Sequence, residues 1–201
     1  WATAYSFKTC HEQQEENWNL TNTDGSLATD HIFSPAYVYN QINHGQDEGA
    51  SIYEALNLIA NQGVAPLSQM PYNTADFLTQ PSDTAQQAAL PYRIDANYGL
   101  LENTTDAIRA ELAERHPVIV SIRTTKTFHD HNSNMIIQGD LNEPSLGNHA
   151  VVLVGYDDST QAFRVRNSWG QGWAENGDAW ISYAYLLGIL NDAWYAHDVD
   201  Y

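Results

Sequence analysis

Apolar residues follow one rhythm before Pro117 and another after it, and that change limits the folds open to this chain. Upstream, they recur three and four positions apart, as a half-buried helix requires. The opening run carries Trp1, Ala4, Tyr5 and Phe7 and then turns polar, predicting a helix whose apolar part lies at its amino end. Ser34-Pro35 starts a second helix, Ser as the cap and Pro in the first turn. GASIYEALNLIANQG puts Ile52, Ala55, Leu56, Ile59 and Ala60 on one helical face, and Gly63 stops it. Residues 66–90, rich in Pro, Ser, Thr and Gln, read as loop, and TTDAIRAELAER reads as a short helix ended by Pro117.

Downstream the runs are short and β-branched. VIVSI at 118–122 reads as a strand buried on both faces, AVVLVGYDD as a second, QAFRVRNSW as a third and DAWISYAYL as a fourth. Helices gathered before strands predict an α+β chain with a mainly helical lobe over about 1–90 and a mainly β lobe over about 91–201. A cleft between unlike lobes is a usual place for a site.

Charge narrows the partners. Eight Lys and Arg against 25 Asp and Glu give a formal net charge of −17, a field that repels nucleic acid and anionic membranes. There is no run of eighteen apolar residues, so no membrane span is expected. The single cysteine, Cys10, excludes an internal disulfide. A lone cysteine is common in bacterial proteins of any compartment and unusual for a small secreted animal domain. The opening residues read as the interior of something longer, with an upstream segment expected.

Two stretches of the β half carry chemistry. GNHAVVLVGYDD sets His149 at the mouth of a strand, and NSWGQGWAENGDAWISY sets Asn167 at the end of the next. A histidine entering one strand and an asparagine leaving its antiparallel neighbour can meet side by side. The amide oxygen would then fix the imidazole's tautomer and leave the other ring nitrogen facing outward. Trp169 could cover that bond, and Gly170, Gly172 and Gly177 supply tight turns. The HDH run at 129–131, two imidazoles in a polar loop, reads as a solvated loop rather than a metal site.

With those stretches in view, the sequence resembles the papain-like cysteine peptidases: NHAVVLVGY and NSWG.GW.ENG match that family's His and Asn motifs almost letter for letter. FSPAYVYN, EGASIYEALNLIANQGVAPLSQMPYN and ERHPVIVSI are similar to later parts of the family pattern. WATAYSF is similar to the family's nucleophile helix, where Cys-Trp-Ala-Phe-Ser is usual. The resemblance implies a helical first lobe, an antiparallel β-barrel-like second lobe and a cleft between them. It aligns Trp1 with the residue after the nucleophile, so the catalytic cysteine is expected immediately before Trp1, outside this chain. Cys10 would lie about 15 Å along the same helix from that position and is expected to be a small buried hydrophobe.

The roles the resemblance implies are specific. His149 would pair with the thiolate and then act as general acid for the leaving amine, Asn167 would orient His149, and Trp169 would shield them. Gly49 and Ala50 fall where the family usually has two glycines that pair with an extended substrate, so Ala50 is a departure. The carbonyl of Asn148 would accept from the substrate backbone, Trp173 would wall the leaving-group side, and Ile52 would either floor the pocket for the side chain two before the cut or simply pack its helix. The resemblance implies a peptide or protein substrate as partner, an N-terminal propeptide, and no metal or organic cofactor. The peptidase reading and the acidity together favour a secreted or periplasmic bacterial setting. Two other functions share these residues: an inactive papain-fold domain that binds peptides, and a Cys-His-Asn acyltransferase or amidase.

Overall fold

The computed structural model describes residues 1–199. The chain forms two compact units, one built mainly from Thr3–Tyr98 and residues 196–199, the other from Gly99–Tyr195.

In the first unit, Ala2–Lys8 forms a wide opening turn of helix, in which the carbonyl of Trp1 accepts from both Tyr5 (3.0 Å) and Ser6 (3.2 Å). It runs directly into α1 (Thr9–Glu16), which ends where Asn17 takes a left-handed φ of 53°. The sequence expectation of an apolar amino end holds, but burial continues further. Lys8, His11 and Glu12 are all buried, so this helix is enclosed on nearly every side through Glu12. Lys8 answers the cost of its burial by pairing with Glu12 (2.7 Å) and Asp198.

Helix α2 (Pro35–Ile42) starts as expected, the Ser34 hydroxyl accepting from the Tyr37 amide. Helix α3 (Ile52–Gln62) buries Ala55, Leu56 and Ile59, with Leu58 buried as well. Gly63 closes it at φ 76°, and a Cβ there would sit 1.8 Å from the Ala89 carbonyl oxygen, so only glycine fits. That carbonyl ends α4 (Asp83–Ala89), which lies inside the stretch expected to be loop. Its helical signal is minimal: a Ser82 cap and two buried alanines, Ala85 and Ala89, one turn apart.

In chain order the second unit holds β1 (Gly99–Leu100), α5 (Thr105–Ala113), β2 (Val118–Arg123), α6 (Lys126–His129), β3 (Asn148–Asp157), β4 (Ala162–Arg166), β5 (Asp178–Ser182), α7 (Tyr183–Ile189) and β6 (Leu190–Tyr195). Its strands form one antiparallel sheet in the order β1-β6-β2-β3-β4-β5. Val118, Val120 and Ile122 face a core shared with Ile108, Val151 and Phe163, while Ile119 is buried on the opposite face. That is the two-sided burial read from VIVSI. The fourth expected strand stops early. Ser182 caps a new helix by accepting from the Tyr185 amide, so Tyr183–Ile189 coils before the chain returns to strand in β6.

Candidate active site

Register brings the candidate pair together. Val152 on β3 pairs with Arg166 on β4, so the next residue, Asn167, falls beside Val151. His149 lies two residues before Val151 on the same strand face, a diagonal neighbour of Asn167 at the spacing where long side chains still touch. The contact follows: His149 Nε2 lies 2.7 Å from Asn167 Oδ1.

A second bond decides who donates. The backbone N–H of Ser168, which can only donate, reaches the same Asn167 oxygen at 2.8 Å. That atom is therefore the carbonyl oxygen, and His149 Nε2 must carry the proton. The imidazole is held as the Nε2–H tautomer, with Nδ1 left as an acceptor. The backbone of Asn167 is itself fixed, its main-chain N–H donating to the Gly177 carbonyl at 2.9 Å where Gly177 takes φ 94°. Trp169 stacks on His149, ring centroids 4.6 Å apart and planes 21° off parallel. Burial depresses the His149 pKa below the usual imidazole value, and the bond to Asn167 only partly offsets it.

Behind this pair stands an aromatic wall that the sequence reading missed in part. Phe128 on α6 meets Trp169 edge-on at 5.7 Å, and Trp173 meets Trp169 at a 90° interplanar angle. Trp173 is buried in the core of this unit, its indole N–H donating to the Phe128 carbonyl at 3.2 Å. Phe128 sits in the polar run TKTFHDH, where a lone aromatic was the only available signal. Of the HDH histidines, His129 bonds Asp130 (2.6 Å) and leans on Trp169, while the His131 ring faces Trp173. The exposed Asn148 accepts from the Asn191 side chain at 3.3 Å.

The remaining candidates belong to the first unit. Gly49 and Ala50 are exposed ahead of α3, and Ile52 is the half-buried first residue of that helix. Gly49 has φ 97° with open space where a Cβ would go, whereas Ala50 does not have a positive φ. The methyl group at the second position therefore costs no backbone strain. Cys10 is buried on α1, its sulfur accepting from Gln14 Nε2 at 3.1 Å. Also on that helix, His11 and Glu15 bring ligand-type atoms within 4.8 Å of Asp198. Lys8 already contacts Asp198 and Glu12, so that acidic group carries a built-in counter-charge.

The family model described as "Papain family cysteine protease" matches residues 2–196. The chain belongs to the papain family. It is 33% identical over 121 residues to gamete and mating-type specific protein A of Dictyostelium discoideum, covering 60% of this chain and 25% of that protein. It is 24% identical over 188 residues to a cysteine protease of Blomia tropicalis, covering 92% of this chain and 54% of the relative. Among solved structures, xylellain, a cysteine protease from Xylella fastidiosa, superimposes with a TM-score of 0.81 at 25% identity, over 98% of this chain and 77% of that one. The papain-family chain thus spans a quarter to about half the length of these two curated relatives.

Proposed function

We propose that this chain is the body of a cysteine-type peptidase whose nucleophile is a cysteine immediately preceding Trp1. The observation that carries the reading is the His149–Asn167 bond of 2.7 Å, with its tautomer set by Ser168 and its face covered by Trp169. An imidazole so held keeps Nδ1 available to take a proton from a thiol. Family membership over residues 2–196 supports the same assignment.

The chemistry follows from what peptide cleavage needs. A cysteine at the amino end of the opening helix would have its thiolate stabilised by the helix dipole and by the His149 imidazolium. The thiolate adds to the scissile carbonyl, and His149 gives its proton to the departing amine. A water deprotonated by His149 then hydrolyses the acyl-enzyme and restores the thiol. Asn167 keeps the ring in one orientation through both transfers, and Trp169 excludes water from the bond between them. Oxyanion donors, the cysteine's own N–H and an upstream glutamine side chain, belong to the segment before Trp1. Gly49, Ala50 and the Asn148 carbonyl pair with the extended substrate backbone, Ile52 contacts the side chain two before the cut, and Trp173 backs the leaving-group side. The longer relatives leave room for an N-terminal propeptide, and the acidity fits an exported enzyme.

The test uses the full-length protein. An epoxide thiol trap should label a cysteine directly before Trp1 and abolish turnover of a fluorogenic peptide. Labelling confined to Cys10 with turnover untouched overturns the assignment. Any residue other than cysteine before Trp1 makes the domain an inert peptide binder, and acyl transfer to amines with no hydrolysis makes it a transferase.

A further inference from the structure

The chain leaves β2 at Arg123 and re-enters the sheet at Asn148, and residues 139–147 of that excursion are strapped down along their length. The Arg123 guanidinium donates to the Glu143 carbonyl at 2.7 Å and to the Leu141 carbonyl at 2.9 Å. The Glu143 carboxylate accepts from the Thr127 amide at 2.8 Å and from the Thr127 hydroxyl. Leu146 N–H donates to the Thr124 carbonyl and Thr124 N–H to the Gly147 carbonyl, both at 2.8 Å. The fit is close: a Cβ on Gly139 would lie 2.9 Å from Thr127 Cγ2, and one on Gly188 would lie 2.3 Å from Leu141 Cδ2.

Arg123 occupies a double position. Its backbone pairs with Asn148 in the sheet, one step from the Ile122–His149 pair, while its side chain grips the strap that leads into Asn148. We propose that Arg123 and Glu143 are positioning residues for His149. Acting through the 139–147 strap, they fix the register and tilt with which Asn148 and His149 enter β3. Arginine suits the task because its planar fork reaches two carbonyls at once, which a lysine ammonium does less well. A carboxylate suits position 143 because it accepts two donors with charge assistance. Neither side chain enters the reaction, and the inference rests on the proposed role of His149.

Two readouts test it in the full-length protein. With the active-site thiol alkylated and the pH above the imidazole titration range, the ring nitrogens of ¹⁵N-labelled His149 should show the split shifts of a single Nε2–H tautomer. Glu143→Ala and Arg123→Ala should collapse that split toward the average of two tautomers. In the unblocked protein, kcat per titrated thiol should fall roughly fivefold, as loose placement of a catalytic group predicts, with KM within about twofold. Glu143→Gln, whose amide oxygen still accepts from Thr127, should recover most of both signals and guards against a misfolded alanine variant. An unchanged split in both alanine variants overturns the proposal. A wild-type protein that cleaves no peptide, yet whose His149 shifts respond to these changes, instead sinks the peptidase reading and leaves the strap's role standing.

Discussion

Removing the amide at position 167 should separate orientation from binding. In the Asn167→Ala protein the oxygen that accepts from His149 (2.7 Å) and Ser168 (2.8 Å) is gone. Two hydrogen bonds at about 1 kcal/mol each set a stability loss of about 2 kcal/mol. The rate effect has a different origin. Without its acceptor the imidazole samples both tautomers and swings about its χ angles, so the competent arrangement is populated only part of the time. We expect kcat to fall roughly 10- to 100-fold, about 1.4–2.8 kcal/mol of transition-state stabilisation. KM should change little, because Asn167 is given no contact with substrate. The assay is turnover of a fluorogenic peptide, normalised to titrated thiol and run well below the melting temperature so that lost stability does not pass for lost rate. Turnover within about twofold of wild type would refute the reasoning, since the 2.7 Å bond would then do nothing for catalysis.

Other outcomes follow from single features. Lys8→Met strips the fully buried ammonium from Glu12 and Asp198 and should cost about 3–5 kcal/mol, a fall in Tm of roughly 10 °C. Adding Glu12→Gln and Asp198→Asn should restore much of it, and a single variant that melts with the wild type removes the ion group from any stabilising role. Because burial lowers the His149 pKa, the unfolded chain binds more protons than the folded one as pH falls below about 6.5. With the active-site thiol alkylated, that histidine's contribution to stability is therefore complete above about 6.5 and lost as acid is added through the folded value. Thermal melts from pH 7.5 to 5 should show a decline that His149→Gln lessens, and parallel curves for the two proteins would contradict it. Cys10→Ser should leave turnover unchanged while costing about 1–2 kcal/mol for a buried hydroxyl, and loss of turnover in a folded protein would return Cys10 to consideration as a nucleophile.

The His149–Asn167 contact was legible in the sequence because its geometry is local to two paired strands. Once AVVLVGYDD and QAFRVRNSW are read as antiparallel neighbours, strand alternation alone carries the two side chains to one face. The cap of α2, the stop after α3 and the two-sided burial of β2 were legible for the same reason, each being set by residues within a few positions. What escaped depends on groups far apart in sequence. Helix α4 offers only two alanines to the interior, too little apolar signal to stand out from a polar stretch. Lys8 reads as solvated until Asp198, 190 residues away, is seen beside it. The strap is the sharpest case. Arg123, Thr127 and Glu143 look like loop surface because charge and polarity are what a solvated loop also shows. Their meaning lies in pairing: a fork spanning two carbonyls and a carboxylate spanning two donors turn a polar excursion into a fixed support. Polar residues disclose such pairing only through their partners, so sequence patterning finds a side chain set by local strand alternation sooner than one set by a contact distant in sequence.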